Sequence, residues 1–217
     1  MIRDVIWDVD GTLFDTYPAI ARAFALALQE HGAEVPLARI VDLARQSLGH
    51  CANTLAGQFG LDADELTREF QGHYVRMPAG EQPPFHGAAH VCAYVVATGG
   101  RNYIVTHRGR ESLQRLLAAH QMTGYFADCL SADDGFPKKP DPAAFEELLR
   151  RHGLEREAVL AVGDREIDVL AGQAAGVQTC LFGQVAPGVE PDYAINDFAE
   201  LYCLLVAEHG EESHLGT

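Results

Sequence analysis

The sequence predicts an α/β protein: a parallel sheet core flanked by helices, with a small all-helical domain inserted after the first strand. Three observations predict it. Short apolar strand-like runs alternate with helix-like segments along most of the chain. That rhythm stops between residues 16 and 84, where helical periodicity continues without a convincing strand. With 217 residues and 47% hydrophobic side chains, the chain can build a core domain plus a smaller one and is too apolar to be disordered.

In chain order, Ile2–Trp7 reads as the first strand. Thr16 is expected to cap a helix in which Ile20, Phe24 and Leu28 recur at four-residue spacing, ending at Gly32. Helical patterns then cover Leu37–Leu48, Cys51–Phe59 and Ala63–Met77, and Pro78, Pro83 and Pro84 mark a linker back to the sheet. After a helix at Ala88–Ala97 and the Gly99–Gly100 break comes the strand Tyr103–Val105. A helix at Glu111–His120 carries Leu113, Leu116 and Leu117 on one face, followed by a strand at Asp128–Leu130. Pro142–His152 is a punctuated helix, with Asp141 as its cap and Gly153 just past its end. Val159–Val162 and Gln178–Leu181 are strands on either side of a helix at Glu166–Ala175. Asp192–Ile195 is expected at a sheet edge, Phe198–Glu208 closes the fold, and the polar tail beyond it is expected to fray. No internal repeat or low-complexity segment interrupts this order.

Charge and cysteine usage narrow the function classes. Sixteen Lys and Arg against 31 Asp and Glu give a formal charge of −15, which repels nucleic acid and anionic lipid, so neither is expected as a partner. An anionic small molecule stays open, because a bound cation and a few placed basic side chains reverse the field locally. The five cysteines, Cys51, Cys92, Cys129, Cys180 and Cys203, are odd in number, widely spaced and without a C-x-x-C. They read as reduced packing residues of a cytoplasmic protein. The N-terminus runs into the apolar Val5–Trp7 with no signal-peptide pattern, and the longest apolar run, around Val91–Ala97, is too short to span a bilayer.

Chemistry concentrates at strand ends. The first strand ends in Asp8-Val9-Asp10-Gly11-Thr12, and in open α/β sheets ligands bind beyond the carboxyl ends of the strands. An acidic turn with local hydrogen bonds is the plain alternative. A calcium loop is not, because the third Asp or Asn before the Gly and the later Glu are missing at the required offsets. Tyr103–Val105 ends in Thr106. Lys138 and Lys139 precede Pro140-Asp141 at a helix start. Val159–Val162 runs into Gly163-Asp164, with Asp168 four residues on. Each of these alone is compatible with solvated surface or a helix cap. Together they bring at least three carboxylates, a hydroxyl and an ammonium to one crevice. Like charges about 4 Å apart repel by about 4 kcal/mol at an effective dielectric near 20, so such a cluster calls for a cation. A hard divalent ion with oxygen ligands, Mg²⁺ in particular, answers that need.

These four ordered segments (Asp8-Val9-Asp10-Gly11-Thr12, Thr106, Lys139-Pro140, and Gly163-Asp164 with Asp168) resemble those of the haloacid dehalogenase superfamily, from Ile2 to about Gly183. The branch resembled carries a helical cap and includes phosphoglycolate phosphatases and β-phosphoglucomutases. The resemblance implies a Rossmann-like core at residues 1–15 and 85–217 and a helical cap domain at 16–84. It implies a Mg²⁺-dependent phosphatase of a small phosphorylated metabolite, as a monomer or homodimer. Asp8 is then the nucleophile that forms an aspartyl-phosphate, and Asp10 the general acid/base. Thr106 and Lys139 hold and neutralise the phosphoryl group, and His107 lies in the same pocket. Asp8, the Asp10 carbonyl and Asp164 ligate the metal, with Asp168 binding or orienting that shell. Asp10 favours phosphoryl transfer over dehalogenation, because an alkoxide leaving group needs a proton and a halide does not.

The sequence departs from the family pattern where His107 and Arg108 follow Thr106, a place where Asn is common, and where Arg165 follows Asp164 instead of Ser. The turn Gln46-Ser47-Leu48-Gly49-His50, with Arg45 and Asn53 nearby, resembles the family's specificity loop, which makes His50 and Asn53 candidate substrate contacts. A phosphosugar mutase shares all the core residues and stays open. A non-enzymatic phospho-acceptor of the receiver type is shorter, lacks a cap and carries adjacent acids.

Overall fold

The structure, a computed structural model, describes residues 1–185 and 188–210. The polar tail expected to fray begins inside the last described helix, and its residues beyond 210 lie outside the described ones. Among the described residues the core is one six-stranded sheet in the order β3-β2-β1-β4-β5-β6, with every paired neighbour parallel. The strands are β1 (Asp4–Trp7), β2 (Asn102–Val105), β3 (Phe126–Leu130), β4 (Val159–Gly163), β5 (Gln178–Phe182) and β6 (Tyr193–Ile195). The helices are α1 (Tyr17–Glu30), α2 (Leu37–Gln46), α3 (Leu48–Phe59), α4 (Ala63–Tyr74), α5 (Ala88–Ala97), α6 (Arg110–Ala119), α7 (Ala143–His152), α8 (Glu166–Ala174) and α9 (Phe198–Gly210).

The chain divides into two compact units, Met1–Phe14 with Pro84–Thr217, and Asp15–Pro83. The first holds the sheet. β1 and β4 are buried on both faces and read as continuous apolar runs, as parallel strands covered by helices on both sides must. β3, at the edge, is only partly buried, and its pairing with β2 shifts register next to Phe126, so its first two residues lie across an irregularity. It starts at Phe126, two residues before the expected Asp128. The buried Asn102 side chain on β2 accepts from Trp7 Nε1 at 2.9 Å and donates to the Cys92 carbonyl at 2.9 Å, so this polar group inside the core is satisfied. Phe85 N donates to Leu13 O at 3.0 Å, which ties the outgoing chain to the returning one.

The second unit is four helices around a core that includes Ile20, Phe24, Leu28, Ile40, Leu55, Leu66 and Phe70. Three sequence expectations change here, the first being that the helix expected to run to Met77 ends at Tyr74. Thr16 does not cap α1 through its side chain. Its backbone is already helical (φ −95°, ψ −16°), and its hydroxyl is buried without a hydrogen bond. The second helix ends at Gln46, not Leu48, because Ser47 is fully extended and its Oγ accepts from His50 N at 2.9 Å, starting α3 at Leu48. The five cysteines are all free thiols. No helix among the described residues is long and apolar enough to cross a membrane.

Candidate active site

The sheet order reverses direction at β1: the chain leaves it toward β2 on one side, and β4 flanks it on the other. That switch point puts the carboxyl ends of β1, β2 and β4 side by side, which is where open α/β sheets place ligands. Asp8 continues β1, with its N–H donating to Val162 O at 2.9 Å, and its side chain is buried. Gly11, at φ 86°, permits the sharp exit that follows. Thr12 then sends its hydroxyl across to Asp164 Oδ1 at 3.2 Å.

Lys139 is the hub. Its side chain is 2% exposed, and its ammonium donates to Asp8 Oδ1 at 2.6 Å, to the Val105 carbonyl at 3.2 Å and to Asp168 Oδ1. An ammonium has three N–H bonds, and here each has an acceptor. Its neighbour Lys138 is exposed, so of the two adjacent lysines only one enters the site. Burial alone would lower the Lys139 pKa, but the Asp168 and Asp8 carboxylates outweigh it and hold the pKa above its ordinary value.

Asp168 reaches this point from the first turn of α8. Its other oxygen, Oδ2, accepts from Arg165 N at 3.1 Å. Gly163 makes the approach possible, because a Cβ there would lie 2.2 Å from the Asp168 Cβ. Three carboxylates therefore face one ammonium: one oxygen each of Asp8, Asp164 and Asp168 lie within 4.8 Å of one another. Asp8 registers its burial. Burial, then the Asp168 carboxylate, raise its pKa to about 6 against the pull of Lys139 and Arg165. Asp8 Oδ2 is buried and accepts no hydrogen bond. An orphaned buried carboxylate oxygen beside two further carboxylates is a donor set that fits a hard, oxygen-loving divalent cation.

A second carboxylate–cation pair lies two residues along. The Asp10 carboxylate is gripped by Arg108, with Nε 3.2 Å from both carboxylate oxygens and Nη2 also on Oδ1. The Arg108 backbone N–H donates to Thr106 Oγ1 at 3.1 Å, which leaves that hydroxyl its own proton to donate. His107 turns its ring to the loop: Nε2 accepts from Lys139 N at 2.9 Å, which places the ring proton on Nδ1. Burial, with the Lys139 and Arg165 charges, pushes the His107 pKa down to about 4, so the ring is neutral at physiological pH.

Seven positions singled out in the sequence (Asp8, Asp10, Thr106, His107, Lys139, Asp164 and Asp168) thus lie around the ends of β1, β2 and β4. His50 and Asn53 belong to the other compact unit, both exposed on α3. Arg108 stands out in the sequence only as a departure from the family pattern, which does not reveal its grip on Asp10. Its one signal is Ser112 four residues on, a spacing too common to single out.

The description "Haloacid dehalogenase-like hydrolase" fits residues 5–182 as a family model. Phosphoglycolate phosphatase of Yersinia pestis is 31% identical, across 92% of this chain and 91% of that protein. Phosphoglycolate phosphatase of Aliivibrio fischeri is 29% identical, across 94% and 96% respectively. Among solved structures, a hydrolase from Streptococcus pneumoniae TIGR4 is 25% identical with a TM-score of 0.67, covering 94% of this chain and 98% of that one. A haloacid dehalogenase-like family hydrolase from Streptococcus pneumoniae, 20% identical with a TM-score of 0.78 and covering 94% and 98%, shares the fold. With its strand-end acids, buried lysine and family match over most of its length, this chain belongs to the haloacid dehalogenase-like hydrolases.

Proposed function

We propose that the protein is a Mg²⁺-dependent phosphatase that hydrolyses a small phosphate monoester, of the phosphoglycolate or sugar-phosphate kind, through an aspartyl-phosphate on Asp8. One observation carries the reading: Asp8, buried against Lys139, faces Asp164 and Asp168 with one oxygen bound by nothing in the protein. Asp8, the Asp10 carbonyl and Asp164 would hold the metal, with Asp168 orienting that shell through Lys139. When bound, Mg²⁺ supplies positive charge against the charge that builds up between a carboxylate and a phosphate.

The protein's own residues do the rest. Asp8 attacks phosphorus as the bond to the leaving oxygen breaks, and Asp10 gives that oxygen its proton. Asp10 then takes a proton from the water that attacks the phosphoryl-aspartate, the Asp8–phosphorus bond breaks, and inorganic phosphate leaves. Lys139 fixes the Asp8 carboxylate and offsets its charge, and Thr106 offers its hydroxyl proton to a phosphoryl oxygen. Around these acids stand Lys139, Arg108 and Arg165, a local cationic group on a chain of net charge −15, which suits an anionic ester. The helical unit selects the leaving group, with His50 and Asn53 as contacts, and the enzyme works in the cytoplasm.

Phosphate release from p-nitrophenyl phosphate and from a panel that includes 2-phosphoglycolate tests the reading, with and without Mg²⁺. Mg²⁺-dependent release that is lost in Asp8→Asn is expected. Release unaffected by chelator, or retained above ~1% in Asp8→Asn, overturns the reading, since nucleophile loss removes the covalent route altogether. Conversion of β-glucose 1-phosphate without net phosphate release would make it a mutase instead. His50→Ala or Asn53→Ala is expected to shift preference within the panel more than the rate on p-nitrophenyl phosphate.

A further inference from the structure

We propose that Arg108 is the positioning residue of the general acid/base: it fixes the plane of the Asp10 carboxylate so that one orientation serves both proton transfers. The inference rests on the phosphatase reading above.

The geometry of the pair carries it. The Arg108 side chain is 4% exposed, whereas that of Asp10 is 27% exposed. The cation is therefore the buried, fixed partner, and the carboxylate is the end presented outward. Arg108 is anchored from both directions. Its backbone N–H is held by Thr106 Oγ1 at 3.1 Å, and its Nη1 donates to Ser112 Oγ, on the first turn of α6, at 2.9 Å. Its Nε and Nη2 meet Asp10 as a fork. A planar fork restrains the rotation of a carboxylate as well as its distance, which a point charge such as lysine does not.

The chemistry needs that restraint. In the first half-reaction Asp10 must direct a proton at the leaving oxygen. In the second it must take one from a water standing where that oxygen stood. The same location is addressed twice, so a carboxylate locked in one plane suits both. A purely stabilising role explains the arrangement less well. Burying an ion pair costs desolvation that its attraction scarcely recovers, and a partner left more than a quarter exposed gains less still.

The test uses Arg108→Gln, Arg108→Lys and Ser112→Ala in the full-length protein with Mg²⁺, on 2-phosphoglycolate and on p-nitrophenyl phosphate. The aryl ester needs little help to expel its leaving group, so only its second half-reaction depends on Asp10. For Arg108→Gln, kcat on 2-phosphoglycolate is expected to fall about 100-fold with KM nearly unchanged, within the 10²–10⁴ that a placed acid/base supplies. On p-nitrophenyl phosphate the same variant is expected to release about one equivalent of nitrophenolate in a burst before a slow steady state, because Asp8 is phosphorylated faster than water is activated. Arg108→Lys is expected to recover about tenfold of the loss without abolishing the burst, and Ser112→Ala to lose a few-fold in the same direction. If Arg108→Gln does not fold, the other two variants carry the test. Equal losses on both esters with no burst, or kcat unchanged, overturn the proposal. Wild-type protein inactive on both esters and on the whole panel overturns the phosphatase reading and this proposal with it; an active wild type with indifferent variants on the ester it hydrolyses overturns this proposal alone.

Discussion

Asp8 and Asp10 stand two residues apart on one strand end, and each meets a basic side chain, yet the pairs are built oppositely. Asp8 is sealed with Lys139, both side chains at most 3% exposed. Asp10 reaches outward from a buried arginine. A lysine is a compact charge that several acceptors can share, and Lys139 serves Asp8, Asp168 and a carbonyl at once. An arginine is a planar fork, and Arg108 sets Nε and Nη2 on the Asp10 carboxylate while Nη1 holds Ser112. The first arrangement suits a group that must form and release a bond to phosphorus at a fixed point. The second suits a group that must aim a proton. Partner and burial, more than residue type, separate the two aspartates.

The largest expected effect tests that separation directly. Asp8→Asn should abolish turnover, while Asp10→Asn should leave a residue of activity on p-nitrophenyl phosphate, since general acid–base help is worth roughly 10²–10⁴. Equal losses on that ester would erase the distinction. Next comes Lys139→Met. It leaves Asp8 and Asp168 buried without their cation, so unfolding by urea should show a loss of about 3–5 kcal/mol. A loss below about 1 kcal/mol would mean the carboxylates are screened by something other than Lys139. Asp164→Asn should weaken Mg²⁺ about 10–100-fold in a titration of activity or of thermal stability. An unchanged titration would remove Asp164 from the metal site.

The smallest effect is in the pH dependence of stability without metal. The folded-state pKa of Asp8 is raised from 3.8 to about 6, so its contribution falls as pH rises through that window. That of His107 is lowered from 6.5 to about 4, so folded His107 sheds its proton before unfolded His107 does, and its contribution rises over nearly the same window. The two oppose each other. Melting temperatures measured from pH 4 to 6.5 should therefore rise more steeply with pH in Asp8→Asn than in the wild type, and less steeply in His107→Asn. Parallel profiles in all three proteins would show that neither group is as buried as the geometry implies.

The parts legible in the sequence were those where chemistry and position coincide. Buried parallel strands such as Val159–Val162 announce themselves as apolar runs, and the carboxylates just past them mark the strand ends. Asp8, Gly11, Asp164 and Asp168 all fall there. What stayed hidden were contacts between segments far apart in the chain. Nothing near Arg108 points to a carboxylate 98 residues away, and nothing near His107 says that its ring receives the N–H of Lys139. Local rules also failed where the backbone overruled the side chain. Thr16 has the right residue type for a cap, but a helical φ and ψ turn its hydroxyl away from that task, while Ser47, extended, performs it between two helices that the sequence left apart.

Gly163 carries a consequence for how this protein tolerates genetic change. The gap it leaves is narrower than a methyl group, so it acts as a sieve on mutation rather than on ligand. A single-codon change to alanine would push Asp168 off Lys139, although position 163 carries no side chain of its own. Variants at this silent-looking backbone position are where inherited loss of activity should be sought first after the acids themselves.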